Sequence, residues 1–181
     1  MSHSLVGLTF RPSDQDSLPV YAVLEKKRGR IYFVNVGVLK DWEEIFDIGD
    51  FNRVAFNFLY VPDGFYRPPK FRLKMYVDTV SSVLHKAHER DVEIYPVYTY
   101  GFYARDGVVP SKSTLAGLHA RFTRINEYIT GLNRFRLLDY NWKILPSDLL
   151  DAIATALTLH FLDTGKGYFV EVDGIKVFVP E

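Results

Sequence analysis

Three consecutive segments decide the fold: the run VAFNFLYV at residues 54–61, a helical stretch at about 71–89, and the short apolar run VEIYPV at 92–97. The two apolar runs have the length of buried strands, and the stretch between them has apolar residues at helical spacing. Two strands joined by a helix of this length satisfy the requirement of a parallel crossover. The middle of the chain therefore predicts a parallel β-α-β unit.

Patterns on either side of this unit predict further strands and helices. They are a buried strand at 5–10, an antiparallel hairpin at 20–26 and 31–39, helices that begin near Ser113 or Thr114 and at 146–148, and a C-terminal hairpin at 167–180 that turns on Asp173-Gly174. Strands that alternate with helices in this way are typical of helices packed on a sheet. We therefore expect an α/β fold with a mixed sheet.

Length and charge limit the classes of protein to consider. The 181 residues are enough for one well-buried core and few for two, so we expect a single domain over residues 1–181. Lys and Arg together number 22, as do Asp and Glu, so the formal net charge is zero. Because there is no long-range field, contact with a nucleic acid requires a local basic patch.

The sequence contains no cysteine, which excludes disulfides, thiolate metal ligands and a cysteine nucleophile. A chain without cysteine suits a reducing compartment. The first residues have no basic segment followed by an apolar one, and no apolar run reaches about 18 residues. We therefore expect a cytoplasmic protein with no membrane-spanning segment.

Six short motifs follow one another along nearly the whole chain. They are Gly7-Leu8-Thr9, Ala55-Phe56-Asn57 with Pro62 after it, Glu93-Ile94-Tyr95-Pro96, the trio Lys112, Gly117 and Arg121, the helix start Asp148-Leu149-Leu150-Asp151-Ala152 with Ala156, and the ending Gly174-Ile175 with Val179-Pro180. In this order they resemble a family of uncharacterised prokaryotic ribonuclease-H-like proteins, which are described as predicted nucleases. The resemblance implies a ribonuclease-H-like mixed five-stranded sheet with helices on both faces, followed by a C-terminal β-hairpin.

Thr9 and Asn57 stand where the family carries metal-binding aspartates at the ends of two strands. Nucleases of this architecture hold two divalent ions mainly through carboxylates. The side chains of Thr9 and Asn57 offer neutral oxygens and no negative charge. The resemblance therefore implies a degenerate acidic site.

The acids that remain are Glu93, Asp148 and Asp151, which the resemblance places at catalytic positions, with Glu93 and Asp151 as metal ligands. Three formal negative charges hold two dications poorly, so we expect at most one weakly bound Mg²⁺ or Mn²⁺. Asp148 and Asp151 share one face of a predicted helix start, where capping explains them equally well. Glu93 lies in an apolar strand and must face a cleft or pair with a cation such as Lys112 or Arg121.

Arg67, Lys112 and Arg121 are the candidate nucleic-acid ligands. Lys112 and Arg121 flank a predicted helix start, where backbone N–H groups also bind phosphate. The stretches 60–74 and 95–105 interleave aromatic rings with basic residues, and exposed rings of this kind stack on bases. The structural alternatives are a solvated helix face for the cations, and packing of the rings within the domain or at a subunit interface.

Three functions remain open at this point. The first is a degenerate ribonuclease-H-like domain that acts as a nucleic-acid-binding or scaffolding module. The second is a metal-dependent nuclease or phosphoryl-transfer enzyme that uses the remaining acids. The third is a structural protein whose aromatic loops form a homodimer. The fold does not choose between them, but the missing acids favour the first.

Overall fold

The computed structural model describes residues 3–10, 18–62, 64, 68–104, 107–132 and 146–181. Its elements, in chain order, are β1 (His3–Thr9), β2 (Val20–Lys27), β3 (Arg30–Val38), a 3₁₀ helix (Trp42–Asp47), β4 (Arg53–Asn57), α1 (Lys70–His88), β5 (Glu93–Val97), α2 (Thr99–Ala104), α3 (Leu115–Asn126), β6 (Ile129–Thr130), α4 (Pro146–Asp163), β7 (Gly167–Val172) and β8 (Ile175–Pro180). The α/β class and the predicted hairpins are therefore confirmed. Arg67 lies outside the described residues.

All the strands in the described part of the chain belong to one mixed sheet, in the order β6-β3-β2-β1-β4-β5-β8-β7. The pairs β1–β2, β2–β3 and β7–β8 are antiparallel, and the remaining pairs are parallel. The expectation of a five-stranded sheet followed by a hairpin is wrong, because the sheet formed by the described residues has eight strands and includes the hairpin. The C-terminal hairpin joins the sheet where Val97 of β5 pairs with Phe178 of β8, and β6 adds a further strand beside β3.

The predicted β-α-β unit is present as β4, α1 and β5. The two strands are parallel neighbours, with Arg53 opposite Glu93 and Asn57 opposite Val97. Val80, Val83 and Ala87, which the helical pattern placed on one face of α1, are buried, whereas Met75, which the same pattern included, is exposed. Among the described residues, no helix combines the length and the apolar character needed to cross a bilayer.

The sheet has a helical layer on each face, and alternate residues of β1 face the two layers. Leu5 belongs to the apolar cluster around α4, whereas Val6 and Leu8 belong to the cluster around α1. On the α4 side, a Cβ at Gly7 would lie 2.3 Å from the backbone nitrogen of Ala156. Gly7 therefore allows α4 to pack directly on β1, which brings the first turn of α4 to the carboxyl end of that strand.

Candidate binding cleft at the carboxyl ends of the central strands

Thr9 and Asn57 lie side by side, as the resemblance implied. They are the last residues of β1 and β4, which are parallel neighbours with Leu8 opposite Phe56. The Nδ2 of Asn57 donates a hydrogen bond of 3.2 Å to the Oγ1 of Thr9. Two neutral side chains therefore lie at the carboxyl ends of β1 and β4 and are joined by a hydrogen bond.

Asp148 and Asp151 approach the same point from the first turn of α4. Both line a small cavity together with Thr9 and Asn57, and Asp151 also lines a larger neighbouring cavity with Asn57. Asp151 is 8% exposed, so its carboxylate is largely removed from water. The structure thus brings together four of the five positions that the resemblance assigned to the acidic site.

Lys112 inserts its ammonium group between these two carboxylates. Its Nζ lies 3.1 Å from Oδ2 of Asp151 and 3.8 Å from Oδ1 of Asp148. It also lines both cavities. Lys112, which the sequence predicted as a phosphate ligand, is therefore part of the acidic site itself. Its positive charge balances the negative charge of the two nearby carboxylates.

The loop that carries Lys112 is fixed by the motif that follows it. Thr114 caps α3 by accepting a hydrogen bond from the backbone nitrogen of Gly117. A Cβ at Gly117 would lie 2.0 Å from the carbonyl oxygen of Ser111. Only glycine allows α3 to approach the carbonyl of Ser111 this closely without a shift of the backbone. This close packing holds Ser111 in place, and with it the next residue, Lys112.

Arg121 completes the support of this loop and is not a surface cation. It is 4% exposed, and its Nη1 donates to the carbonyl oxygens of Pro110 at 2.8 Å and Gly117 at 3.2 Å. Its guanidinium carbon lies 5.1 Å from the centre of the Tyr103 ring. The expectation that Arg121 presents its charge to a nucleic acid is therefore not met, because its side chain is buried and its guanidinium group donates to backbone carbonyls.

Glu93 does not join the site. It begins β5, whereas Asn57 ends β4 opposite Val97, the last residue of β5. Four residues of strand separate the two ends, which is roughly 13 Å. The exposed carboxylate of Glu93 instead accepts a hydrogen bond of 2.6 Å from the hydroxyl of Tyr95. The assignment of Glu93 as a catalytic and metal-binding residue is thus not supported by its position, because Glu93 lies at the opposite end of the parallel strands from Asn57.

Aromatic side chains form the other wall of the larger cavity, which has a volume of about 170 Å³. They come from the segment after β5 and include Tyr98, Tyr100 and Tyr103. The Tyr103 hydroxyl donates to the carbonyl oxygen of Leu150 at 3.0 Å. Burial raises the pKa of Tyr103 well above its ordinary value, and the negative charge of Asp151 raises it further, so the phenol stays neutral.

Two threonines that the sequence reasoning overlooked link this wall to α4. The Oγ1 atoms of Thr99 and Thr155 are 2.8 Å apart, and the Thr155 hydroxyl donates to the backbone carbonyl of Asp151 at 2.6 Å. Thr155 lies inside the helix motif quoted above, one turn after Asp151, so its spacing was a usable signal. The pair fixes the start of α2 against the turn that carries Asp151.

The charges around the cleft cancel. Among the described residues that line the two cavities, the formally charged ones are Asp148, Asp151, Lys112 and Arg121, two of each sign. No three histidine, aspartate or glutamate side chains of the described residues come together as a metal site. A divalent ion would have to displace the Lys112 ammonium from its carboxylates. The residues present therefore do not fit a two-metal site.

Comparisons with models of known protein families and with curated proteins gave no match to this sequence. The function of the cleft is therefore inferred from the residues that form it.

Proposed function

We propose that this protein is a ribonuclease-H-like module whose cleft binds nucleic acid without cleaving it. The five adjacent strands β3-β2-β1-β4-β5 support the fold assignment: an antiparallel hairpin flanks β1 on one side and two parallel strands flank it on the other. Helices on both faces of these strands agree with the same architecture. The additional strands extend this arrangement at its edges.

The observation that carries the loss of catalysis is the ion pair between Lys112 and Asp151 at 3.1 Å. Two-metal hydrolysis requires carboxylates that are free to bind dications. Here two of the acidic positions are neutral, and the two carboxylates that remain share one ammonium group. The arrangement stabilises the protein without metal and leaves no ligand set for a pair of ions.

Binding of nucleic acid is supported by the groups that border the cleft. The side chain of Lys112 is 36% exposed, so its ammonium can also contact a phosphate at the surface. The half-buried ring of Tyr100 lines the same cavity as Lys112, and an accessible ring near a cation suits an unpaired base and its backbone. We therefore expect single-stranded nucleic acid to be preferred over duplex.

Cleavage and binding assays test this proposal together. We expect salt-sensitive binding of a labelled single-stranded oligonucleotide and no cleavage of single-stranded, duplex or branched substrates with Mg²⁺ or Mn²⁺. Metal-dependent cleavage that is lost in the Asp151→Asn variant would show an active nuclease. Absence of binding to any nucleic acid would remove the binding function.

A second candidate function, a homo-oligomer, is favoured by the edge strand β7. Within the described part of the chain β7 has only β8 as a neighbour, and Tyr168 and Phe169 on it are 49% and 43% exposed. An exposed edge strand can pair through its backbone with a second copy. Light scattering should then give a dimer mass that the Phe169→Lys variant reduces to the monomer, whereas a monomeric wild type would exclude it.

A further inference from the structure

The first two turns of α1 expose an unusual combination of side chains. Phe71 is 64% exposed and Met75 is 62% exposed, and because they are four residues apart they lie on one face of the helix. Neither belongs to a core cluster. These two apolar side chains therefore cover no part of the domain that the structure describes.

Three exposed cations surround them: Lys70, Arg72 and Lys74. No ion pair among the described residues involves any of the three. The first turn of α1 contains no acidic residue, although acids there would stabilise the helix through its dipole. Helix stability thus does not account for these cations, and a negatively charged partner would. We call the five residues Lys70, Phe71, Arg72, Lys74 and Met75 the α1 basic surface.

The α1 basic surface lies at the same end of the sheet as the cleft. Tyr76, the next residue of α1, donates a hydrogen bond through its hydroxyl to the carbonyl oxygen of Asn57 at 3.4 Å and accepts one from the backbone nitrogen of Leu59 at 3.1 Å. Asn57 and Leu59 both line the cleft. A strand of nucleic acid in the cleft, which lies on the α4 face, can therefore reach α1 by passing over the carboxyl ends of the strands at Asn57 and Leu59.

We propose that the α1 basic surface binds the backbone and one base of a single-stranded nucleic acid that enters the cleft, an inference that rests on the proposed function. The Phe71 ring stacks on an unpaired base, and Lys70, Arg72 and Lys74 contact phosphates. The guanidinium of Arg72 lies 5.9 Å from the centre of the Phe71 ring, so the ring and a cation are presented together. In a duplex the bases are already stacked, which leaves no base for Phe71.

An anionic membrane is the less suitable partner. A helix that lies on a membrane needs an apolar stripe along its length. The exposed face of α1 continues instead with polar residues, among them Asp78, Ser81 and His85. The apolar area is therefore limited to Phe71 and Met75, about one turn of helix, and its single ring can stack on one base.

Fluorescence anisotropy with a labelled single-stranded oligonucleotide, measured over a range of salt concentrations, tests this surface. We expect Phe71→Leu to weaken binding by about fivefold or more, and Phe71→Tyr, which keeps the ring, to bind like wild type. The double variant Arg72→Gln with Lys74→Gln should lower the slope of log affinity against log salt by about 1.4, or about 0.7 for each lost phosphate contact.

The matched control is Lys27→Gln with Arg30→Gln. It removes the same charge from an exposed position at the tip of the β2–β3 hairpin, where His3 begins β1 at the opposite end of the sheet from Thr9. The control should bind like wild type. Equal weakening by the control pair would show general charge attraction and overturn the proposal, as would wild-type affinity in all the α1 variants or binding of wild type to phosphatidylserine vesicles in place of the oligonucleotide.

The variant Lys112→Ala, measured in the same assay, separates this proposal from the proposed function. Weakening by Phe71→Leu with no effect of Lys112→Ala supports the α1 basic surface and contradicts the role of the cleft. Weakening by Lys112→Ala alone supports the cleft and overturns the α1 basic surface. Thermal unfolding of each variant checks that it folds, and Phe71 is exposed enough for its substitution to leave the core intact.

Discussion

The Nζ of Lys112 lies 3.1 Å from the Oδ2 of Asp151, and this ion pair occupies a carboxylate that would otherwise be free to bind a metal ion. The Asp151 side chain is 12% exposed, so its charge is poorly solvated and depends on the ammonium next to it. The same ammonium lies 3.8 Å from Asp148. One fixed cation therefore lies between the two carboxylates, where a metal ion would have to displace it.

The first prediction follows from removal of that cation. In Lys112→Ala the carboxylates of Asp148 and Asp151 lose their shared partner, and we expect them to bind Mn²⁺, an oxygen-preferring dication, more tightly than wild type does. Thermal unfolding with and without Mn²⁺ measures this. A concentration ten times the dissociation constant should raise the free energy of unfolding by roughly 1.4 kcal/mol.

The control for this experiment is Lys27→Ala, which removes a positive charge from an exposed strand end far from the cleft. It should show the same small response to Mn²⁺ as wild type. If wild type already gains as much from Mn²⁺ as Lys112→Ala does, the ammonium does not block the site and the interpretation fails.

A second prediction concerns Gly117, which allows the Lys112 loop to pack on α3. The Cβ of Gly117→Ala would meet the carbonyl oxygen of Ser111 at 2.0 Å, so the loop has to move. We expect a loss of about 1–3 kcal/mol in the free energy of unfolding, and a gain in Mn²⁺ binding because Lys112 moves with the loop. Gly49→Ala is the control, since its Cβ would meet only the Phe51 ring, at 3.7 Å. Equal stability of the two variants would contradict this role.

The sequence predicted the central β-α-β unit because its three elements are long or strongly apolar, although β4 ends at Asn57 and not at the predicted residue 61. The helix predicted at about 71–89 is α1, Lys70–His88, and the second strand of the unit, predicted at 92–97, is β5, Glu93–Val97. The local sequence pattern was a weaker guide to the pairing of strands that are far apart in the sequence. It could not show that β8 would pair with β5, and the two residues of β6 are too few to form a pattern.

The site was predicted in part, for reasons that particular residues make clear. Thr9 and Asn57 end parallel neighbouring strands, so their meeting follows from the rule that functional side chains gather at the carboxyl ends of such strands. The same rule excludes Glu93, which begins its strand. The burial of Arg121 depends on how the Pro110 loop folds back on α3, which sequence spacing does not determine.

A third prediction concerns pH. Burial lowers the pKa of His160, the positive charges of Lys26 and Lys166 lower it further, and Asp163 partly opposes them. The Nζ of Lys26 lies 3.2 Å from the Nδ1 of His160, a geometry that suits a neutral ring accepting from the ammonium. Below the unfolded value of about 6.5, the unfolded chain binds a proton that the folded protein resists, so stability falls as pH falls.

This loss should extend from a pH of about 6.5 down to the lowered pKa of folded His160, and unfolding midpoints over that range measure it. In His160→Gln this part of the pH dependence should be absent. His119→Gln, at an exposed position on α3, should keep the wild-type profile. A wild-type profile in His160→Gln would show that another group is responsible.

The last prediction restores the acids that the resemblance expects. Asn57 and Thr9 are joined by a hydrogen bond of 3.2 Å, so the double variant Thr9→Asp with Asn57→Asp replaces an attractive contact with two adjacent carboxylates. Their repulsion is of the order of 4 kcal/mol or less at an effective dielectric constant near 20, and we expect a lower unfolding midpoint in the presence of a chelator. Mn²⁺ should recover most of this loss, because a dication can bind to the two new carboxylates. The variant Thr9→Asn with native Asn57 adds no charge and should not respond to Mn²⁺.

If the double variant is equally stable with chelator and with Mn²⁺, then Thr9 and Asn57 do not mark a former metal site, and the proposed ribonuclease-H-like ancestry of the cleft loses its main chemical support.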